Sequence, residues 1–563
     1  IGSNADLYLE LKEGTGRVFL DTFPLTKADT QISTRFAKDI ACTHFKLDCD
    51  YYDFIFTIRA TSNIVGGPSA GAAAAALTTI AVLDLPYTQD VAVTGTINSG
   101  GIIGPVGGVK EKLEAASKIK IKKVLIAQGS RTYPVLLPNG ADTNRTLDLI
   151  EYGTTNLSME VQEVVDLDDV LYHLTGRQLN HKNVSITQNE EYARIMNGLN
   201  RVICQRTEQL QQLLSQEKII PSAEAEQNLQ QRTESALNAS TMGDFYSAAS
   251  YCFSANIQLR TEYYKGKNLT EQELQSLFST IEQKATALSF KINKQQIQTI
   301  TDLQAIMIVK ERLNDVHDQL QEYRSKNSSE DRYPILAYAE ERFFTTLSWM
   351  QFFDMEGKHF IVDAERLQNM CVQKISEAEE RSQYTSLFLG PLRLEGIQEK
   401  IDTAHRSRNQ QEYFLCIITA SQAKADANAI LSSLGVPEES IQDFVNSKRK
   451  AVERVIAENS EEGIFPILGY SYYQYAHSLQ EKEPYTALVY LEYALEMSDI
   501  ALYFPEERSF FQEMTRFIQK SNLLMLGEGI LIGILTTLLV MRVKRDLMRN
   551  KKKTKITPKI SKQ

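Results

Sequence analysis

A serine and a lysine, each in a glycine-marked turn ahead of a helix-like run, are the residues of this sequence best suited to chemistry. Ser69 stands in the stretch 66–71, which reads GGPSAG, and Lys110 follows 41 positions later in GGVKEK. A serine hydroxyl attacks a carbonyl efficiently when a base takes its proton. A lysine amine serves as that base when its pKa falls toward neutrality. The pair therefore predicts amide hydrolysis without histidine.

Lys110 is the base that we predict, because a positive charge is disfavoured at the start of a helix and its pKa falls there. Lys112 is the competing candidate. Two positions along a helix turn a side chain by about 200°, so only one of the two lysines can face the serine, and Lys110 lies nearer the glycines. Thr94, on a strand-like run between the two motifs, is expected to hold the lysine through its hydroxyl. The alternative for Thr94 is a buried strand threonine bonded to the backbone.

The turn around the serine also predicts a site for a developing oxyanion. Backbone N–H groups at a helix start stabilise negative charge, and Pro68 has none to give. The expected donors are the N–H groups of Gly67, Ser69 and Ala70. A Ser-His-Asp triad built on His44, His173 or His181 remains an alternative, but the surroundings typical of such a triad are missing.

The elements that must position these residues fall in an α/β region over residues 1–180. Short strand-like runs at 7–11 and 17–20 predict a hairpin, and DFIFTIR at 53–59 alternates like a further strand. Buried strands are predicted at 91–94 and 123–127. Helices are predicted at 71–83, 110–118 and 166–174.

Residues 188–520 change in character, because glycine becomes scarce and apolar residues recur at helical spacing. This pattern predicts an all-α region of helical hairpins. Alanines seven positions apart, as at Ala248 and Ala255, would let helices pack closely. They give the region a likeness to tetratricopeptide hairpins, although the full repeat is missing and a general helical bundle is favoured.

The C-terminal part carries a predicted membrane anchor. Residues 523–541 read LLMLGEGILIGILTTLLVM, which is long enough to cross a hydrocarbon core of about 30 Å as a helix. Residues 542–563 hold ten Lys and Arg and one Asp, and basic residues beside a single span mark the cytoplasmic side. The sequence therefore predicts a single-pass protein of the cell membrane, with the N-terminal domains outside and a basic tail inside.

Composition excludes several other functions. The net charge is −10, of which the tail contributes +9, so the rest of the chain is near −19 and nonspecific nucleic-acid binding is not expected. No GxxxxGK[ST] motif exists in the sequence, so we expect that the chain does not bind ATP. No cofactor is predicted.

The six cysteines are too few for a disulfide scaffold. Cys42 and Cys49 are close enough in sequence to form a disulfide or to share a metal, and free thiols are the third alternative. No second ligand cluster supports a metal. Six Asn-x-Ser/Thr sequons, at asparagines 144, 156, 183, 238, 268 and 327, fit the predicted outside location.

The stretches 66–86, 90–95, 104–116 and 122–127 together resemble the proteolytic domain of Lon proteases over roughly residues 5–175. That family uses a Ser-Lys dyad in a compact α/β fold, which implies Ser69 as nucleophile, Lys110 as general base and Thr94 as a support for the lysine. The sequence departs from many family members at Gly66 and Thr96, where acidic residues are common. The ATP-driven unfoldase module of Lon is not found either. The better comparison is with archaeal membrane-bound Lon-like proteases.

These observations predict an ATP-independent, membrane-anchored serine endopeptidase that cuts unfolded or loosely folded polypeptides outside the cytoplasm. The expected partners are polypeptide substrates, the lipid bilayer and further copies of the chain. The alternative is a non-catalytic surface scaffold that binds partners through its helical region.

Overall fold

The computed structural model describes residues 4–26, 28–65, 67–136, 142–179, 185–360, 362–389, 394–433, 438, 441–499 and 523–553. Ile1–Pro505 pack as one compact unit, and Glu506–Gln563 form a second. The end of the predicted helical domain, residues 500–520, the two residues that follow it, and the last ten residues of the basic tail lie outside the described residues.

The α/β region holds ten strands in its described part. They are β1 Ala5–Glu13, β2 Val18–Thr26, β3 Tyr52–Val65, β4 Val91–Thr94, β5 Thr96–Ile97, β6 Ile103–Gly104, β7 Lys123–Ala127, β8 Thr132–Leu136, β9 Asp142–Asp148 and β10 Glu160–Val164. Five helices connect them, namely α1 Ala28–His44, α2 Gly71–Val82, α3 Val109–Lys118, α4 Leu149–Asn156 and α5 Leu167–Thr175. The N-terminal α/β class is thus confirmed.

The first sheet corrects the predicted hairpin. Its order is β1-β3-β2, so β3 lies between the two strands that are neighbours in sequence. β3 runs antiparallel to β1 and parallel to β2. Its alternation is as predicted, since Phe54, Phe56 and Ile58 are all buried on one face.

The second sheet, in the order β10-β7-β4, is parallel throughout. Helix α3 packs on β7, and the apolar cluster between them contains Val109, Leu113 and Ala116 of the helix and Val124 and Ile126 of the strand. Two short antiparallel pairs, β5 with β6 and β8 with β9, complete the described strands.

The second half of the compact unit is helical, as predicted. Its described helices are α6 Glu190–Gln216, α7 Ala223–Thr241, α8 Phe245–Lys267, α9 Glu271–Ile292, α10 Ile300–Ser325, α11 Ser329–Trp349, α12 Ala364–Leu389, α13 Glu395–Asn409, α14 Tyr413–Ser433, α15 Ile441–Glu461, α16 Ile467–Leu479 and α17 Pro484–Ser498. The alanines expected at close helix contacts, Ala248 and Ala255, are completely buried. This agrees with their proposed packing role.

Every cysteine of the chain is paired. The disulfides join Cys42 to Cys49, Cys204 to Cys252, and Cys371 to Cys416. The choice left open by the sequence at Cys42 and Cys49 is therefore decided in favour of a bridge.

The second unit contains helix α18, Leu523–Lys553. Among the described residues, no helix combines the length and the apolar character that a membrane crossing requires. The side chains of the first eight residues of the predicted span, 523–530, lie outside the described part. The membrane anchor accordingly stays a prediction.

Candidate active site

Ser69 lies in a 3₁₀ turn, Pro68–Ala70, between the end of β3 and the start of α2. Gly67 enters this turn with a φ of 94°, a left-handed conformation that glycine adopts without strain. A Cβ at Gly71 would lie 3.0 Å from the Ile97 nitrogen. The glycines therefore let the serine turn form and let α2 approach β5 closely.

Two backbone hydrogen bonds tie the serine turn to the residue after Thr94. The Gly95 N–H donates to the carbonyl of Ser69 at 3.1 Å, and the Ala72 N–H donates to the carbonyl of Gly95 at 3.1 Å. Thr94 is the last residue of β4 and directly precedes Gly95, so these bonds hold it next to the serine turn, and its side chain is buried.

Lys112 is the lysine that reaches this place. Its Nζ donates to Thr94 Oγ1 at 3.2 Å, and burial lowers the pKa of Lys112 to about 8. Gly108 supplies the left-handed residue before α3, with a φ of 64°. Because α3 begins directly after Gly108, the conformation of this glycine determines the direction in which the first side chains of the helix point.

Lys110 lies elsewhere, and the prediction that it is the base must be corrected. Its Nζ donates to Glu114 Oε1 at 2.7 Å and lies 5.6 Å from the centre of the Tyr152 ring. The hydrogen bond to Glu114 raises the pKa of Lys110. An amine that is held protonated by a carboxylate does not accept a proton from a serine.

A pattern in the sequence could have found the right lysine. The inner face of α3 is formed by Val109, Leu113 and Ala116, which are all buried. Ala115 is buried as well. At about 100° per residue, Lys112 lies about 45° from the centre of these four buried residues and Lys110 about 115° from it, so only Lys112 borders the buried face. The preference for the residue nearer the glycines overrode this periodicity.

Of the predicted oxyanion donors, Ser69 and Ala70 lie in the 3₁₀ turn that leads into α2, and Gly67 directly precedes that turn. One N–H of that first turn, from Ala72, is already used by Gly95. The roles of Gly67, Ser69 and Ala70 as oxyanion donors stay predictions, and Gly66 lies outside the described residues.

The histidine alternative finds no support in the described part of the chain. His44 Nε2 and Asp168 Oδ2 are 2.6 Å apart, but this pair belongs to the junction with the helical region, where Arg454 also donates to Asp168. No hydrogen bond between described residues links His44 or His173 to Ser69, and His181 lies outside them.

The helical region forms hydrogen bonds with residues 96–104, the segment that follows Thr94 and leads toward α3. Ser99 donates to Glu496 Oε1 at 2.9 Å, and Arg381 donates to Asn98 Oδ1 at 2.8 Å. The candidate site is thus connected to the helical region by buried polar contacts. No group of metal-binding side chains occurs among the described residues.

Comparison with known proteins shows what the segment around the candidate site is similar to. Residues 56–152 match the Lon protease (S16) C-terminal proteolytic domain. Over 150 residues, the chain is 33% identical to the Lon protease of Syntrophomonas wolfei, covering 25% of this chain and 18% of that protein. Over 114 residues, it is 37% identical to the archaeal Lon protease of Pyrococcus abyssi, covering 20% of this chain and 11% of that protein. It is 48% identical to the Lon protease of Rhizobium meliloti over 62 residues, or 11% of this chain and 8% of that protein.

The chain therefore spans less than a fifth of the length of these curated relatives. The matched segment contains Ser69, Thr94 and both candidate lysines. The predicted resemblance to the Lon proteolytic domain is confirmed for this segment.

Proposed function

We propose that this chain is a serine endopeptidase in which Ser69 is the nucleophile, Lys112 the general base and Thr94 the residue that positions the base. The observation that carries the proposal is the hydrogen bond from Lys112 Nζ to Thr94 Oγ1, at 3.2 Å, next to the backbone bond between Gly95 and Ser69. The match of this segment to a serine-peptidase domain supports it.

The acylation step follows from the low pKa of Lys112. The neutral amine takes the proton of the Ser69 hydroxyl while the oxygen bonds to the scissile carbonyl carbon. The carbonyl oxygen becomes an oxyanion, for which the N–H groups of Gly67, Ser69 and Ala70 are the proposed donors. When the C–N bond breaks, Lys112 gives its proton to the leaving amine, and an ester remains on Ser69.

Deacylation repeats the same proton path with water. Lys112 takes a proton from the water that attacks the ester carbonyl, and the bond to Ser69 Oγ breaks as the proton returns to it. Thr94 accepts a hydrogen bond from Lys112 and fixes the direction of the amine, which holds the base within reach of the serine through both steps.

The substrates we propose are unfolded or loosely folded polypeptides, cut without ATP. The sequence holds no P-loop motif that would bind the nucleotide. The buried contacts at Ser99 and Asn98 make the helical region a candidate for limiting access to the site. Assembly into a homo-oligomer belongs to the same proposal.

We further propose that the chain is anchored in the cell membrane, with its catalytic domain outside. The three disulfides support this location, because disulfides persist in oxidising compartments. In α18, eight apolar side chains between Leu531 and Met541 are exposed, and the basic residues that follow support an inward C-terminus.

The activity is tested with the full chain in detergent and casein as an unfolded substrate, with and without ATP. We expect cleavage that ATP does not change and that Ser69→Ala abolishes. Cleavage by Ser69→Ala at the wild-type rate would overturn the nucleophile. No cleavage at any pH or in any oligomeric state would favour the non-catalytic scaffold.

The location is tested on sealed cells that express the chain with a C-terminal tag. Externally added protease should degrade residues 1–505 and leave the tag intact. A tag that is degraded, or a chain that alkaline carbonate releases from the membrane fraction, would overturn the proposed topology.

A further inference from the structure

The hairpin formed by β5 and β6 connects the two parts of the candidate site along the chain. Its first strand follows Gly95, whose N–H donates to the carbonyl of Ser69. Its second strand leads into α3, which carries Lys112. The 3₁₀ turn Ser99–Gly101 forms the tip between the two strands. A displacement of this hairpin would therefore reach both the serine turn and the helix of the base.

Side chains of the helical region bond to the tip of the hairpin. The Gly100 N–H donates to Asp499 Oδ2 at 2.6 Å, and the Gly100 carbonyl accepts from Arg454 Nη2 at 2.7 Å. The neighbouring Ser99 hydroxyl donates to Glu496 Oε1 at 2.9 Å. Both backbone groups of Gly100 are thus bonded to side chains that lie 399 and 354 positions later in the chain.

The tip is also packed closely between α15 and α17. A Cβ placed on Gly100 would lie 2.6 Å from Val455 Cγ2 and 3.1 Å from Leu495 Cδ2. The first of these distances is too short for a van der Waals contact, so a larger residue would push the tip or α15 aside. The helical region therefore fixes the tip by shape as well as by hydrogen bonds.

Arg381 of α12 holds the hairpin on the side of the serine turn. Its Nη2 donates to Asn98 Oδ1 at 2.8 Å and to the Ile97 carbonyl at 3.3 Å, and only 5% of the residue is exposed. Ile97 is also the residue that α2 approaches, since a Cβ on Gly71 would lie 3.0 Å from the Ile97 nitrogen. Arg381 therefore contacts the part of β5 that lies against the start of α2.

The hairpin depends on the helical region for the partners of these groups. Gly100 and Asn98 are both buried, and a buried N–H or carbonyl without a partner costs free energy. If the helical region moved away, the polar groups of the tip would have to turn toward water. The conformation of the hairpin is therefore coupled to the docking of the helical region.

We propose that the helical region completes the active site by holding this hairpin, with Arg381 as a positioning residue that acts through Ile97 and Asn98. The inference rests on the proposed function, in which Ser69 and Lys112 carry out the reaction. This role differs from limiting access, because it sets how fast a bound substrate reacts. A misplacement of about 1 Å at reacting groups can cost about a hundredfold in rate.

Cleavage by the full chain in detergent tests the role of Arg381. The substrates are casein and p-nitrophenyl acetate, a small ester, and the rate of Ser69→Ala is subtracted for each. Arg381→Met should lower the rate on both substrates by about ten- to a hundredfold and leave KM for casein within about twofold. Wild-type kcat would overturn the proposal. Slower casein cleavage with an unchanged ester rate would also overturn it, because the helical region would then act on access alone.

Hydrogen–deuterium exchange measures the hairpin without any cleavage. In Arg381→Met the amides of residues 95–104 should exchange at least about tenfold faster than in the wild type, while those of α9 stay unchanged. Unchanged exchange over 95–104 would overturn the inference whatever the activity. A wild-type chain that cuts nothing would instead remove the proposed function, and with it the catalytic role of Arg381. The exchange result would still decide whether the helical region holds the hairpin.

Arg312→Met is the matched control. Arg312 is another buried arginine of the helical region, 7% exposed, and it donates to the Thr345 hydroxyl at 2.9 Å. Its replacement should keep kcat and the exchange of the hairpin at the wild-type values, even where the melting temperature falls. Equal losses of kcat in Arg312→Met and Arg381→Met would show a general structural effect and overturn the proposal.

Asn98→Ala removes the same contact from the side of the hairpin, and it serves if Arg381→Met does not fold. It should lower kcat in the same direction. Where both single variants fold, the double variant should be no more than about twofold slower than the slower single variant, because both changes remove one interaction. Wild-type kcat in a folded Asn98→Ala chain would overturn the proposal.

Discussion

The carbonyl of Ser69 accepts a hydrogen bond from the N–H of Gly95 at 3.1 Å, and this bond joins the two halves of the candidate site. The residue before Gly95 is Thr94, whose hydroxyl holds the Lys112 amine. The C-terminal end of β4 therefore contacts both the turn that carries the proposed nucleophile and the lysine of α3 that is proposed as the base.

Replacement of the two lysines should affect kcat very differently. Lys112→Met should lower kcat by about 10²–10⁴-fold, because a general base contributes that much. Lys110→Met should stay within about twofold, since it removes only a partly exposed ion pair with Glu114. Initial rates of casein cleavage measure both. Inactive Lys110→Met beside active Lys112→Met would restore the prediction made from the sequence.

Activity should rise with pH through the pKa of Lys112, about 8. Below that value the amine is protonated and cannot act as a base, so kcat/KM should increase by about tenfold per pH unit up to it and level off above. The pH profile of cleavage, with circular dichroism at each pH as a control for folding, measures this. A flat profile from about pH 6 to 9 would contradict a lysine base.

The same lysine affects stability in a defined direction. Its pKa in the folded chain lies below the ordinary value of 10.5, so folding buries a charge at low pH. This cost is complete below about 8 and disappears as the pH rises toward 10.5.

Thr94→Val should move the pH profile as well as the rate. The variant removes the acceptor of the Lys112 ammonium, so the pKa of the lysine should fall and the rise in activity should begin at lower pH. Its maximum rate should also fall, because the amine is less firmly directed. Thr94→Ser keeps the hydroxyl and should restore the profile. An unshifted profile in Thr94→Val would show that the contact does not act on the base.

Glu496→Gln should strongly destabilise the compact unit. Its carboxylate lies 2.9 Å from the amines of both Lys374 and Lys424, and all three side chains are almost completely buried. Removal of one member of such a network costs about 3–5 kcal/mol, because buried charge is left unbalanced. Denaturant unfolding measures the loss. The exposed pair of Lys122 and Asp90 is the control, and Lys122→Ala should change stability by less than about 1 kcal/mol.

The pH dependence of this network has a clear sign. Burial by itself raises the pKa of Glu496, but the charges of Lys374 and Lys424 outweigh it and hold the pKa at about 2, below its ordinary value of 4.5. The stability it provides is complete above about 4.5 and should be lost as the pH falls toward 2. Glu496→Gln should weaken this acid dependence.

Reduction of the disulfides should lower the melting temperature of the full chain. The bond between Cys204 and Cys252 closes a span of 48 residues, and bridges of this kind stabilise by about 2–4 kcal/mol. Thermal unfolding with and without a thiol reductant measures the change, with alkylation of the released thiols as the control. An unchanged melting temperature after complete reduction would contradict a stabilising role.

Many strands and helices of the α/β region could be predicted from the sequence, because glycines, apolar runs and helical spacing mark each element locally. The predicted strand at 91–94 and helix at 110–118 lie within one residue of β4 and α3. The hairpin of β1 and β2 was wrong because strand pairing is not a local property. β3, much later in the chain, supplies hydrogen bonds to both strands.

The sequence by itself determined the chemical groups of the candidate site: a serine in a glycine-rich turn, a threonine ending a strand, and two lysines opening a helix. Only the tertiary structure decided which lysine serves. That choice depends on the face of α3 that packs on β7, where Val109 and Ala116 are buried, three residues before and four residues after Lys112. Lys110 points to Glu114 instead, and burial on one face with ion pairing on the other separates two residues that are chemically identical.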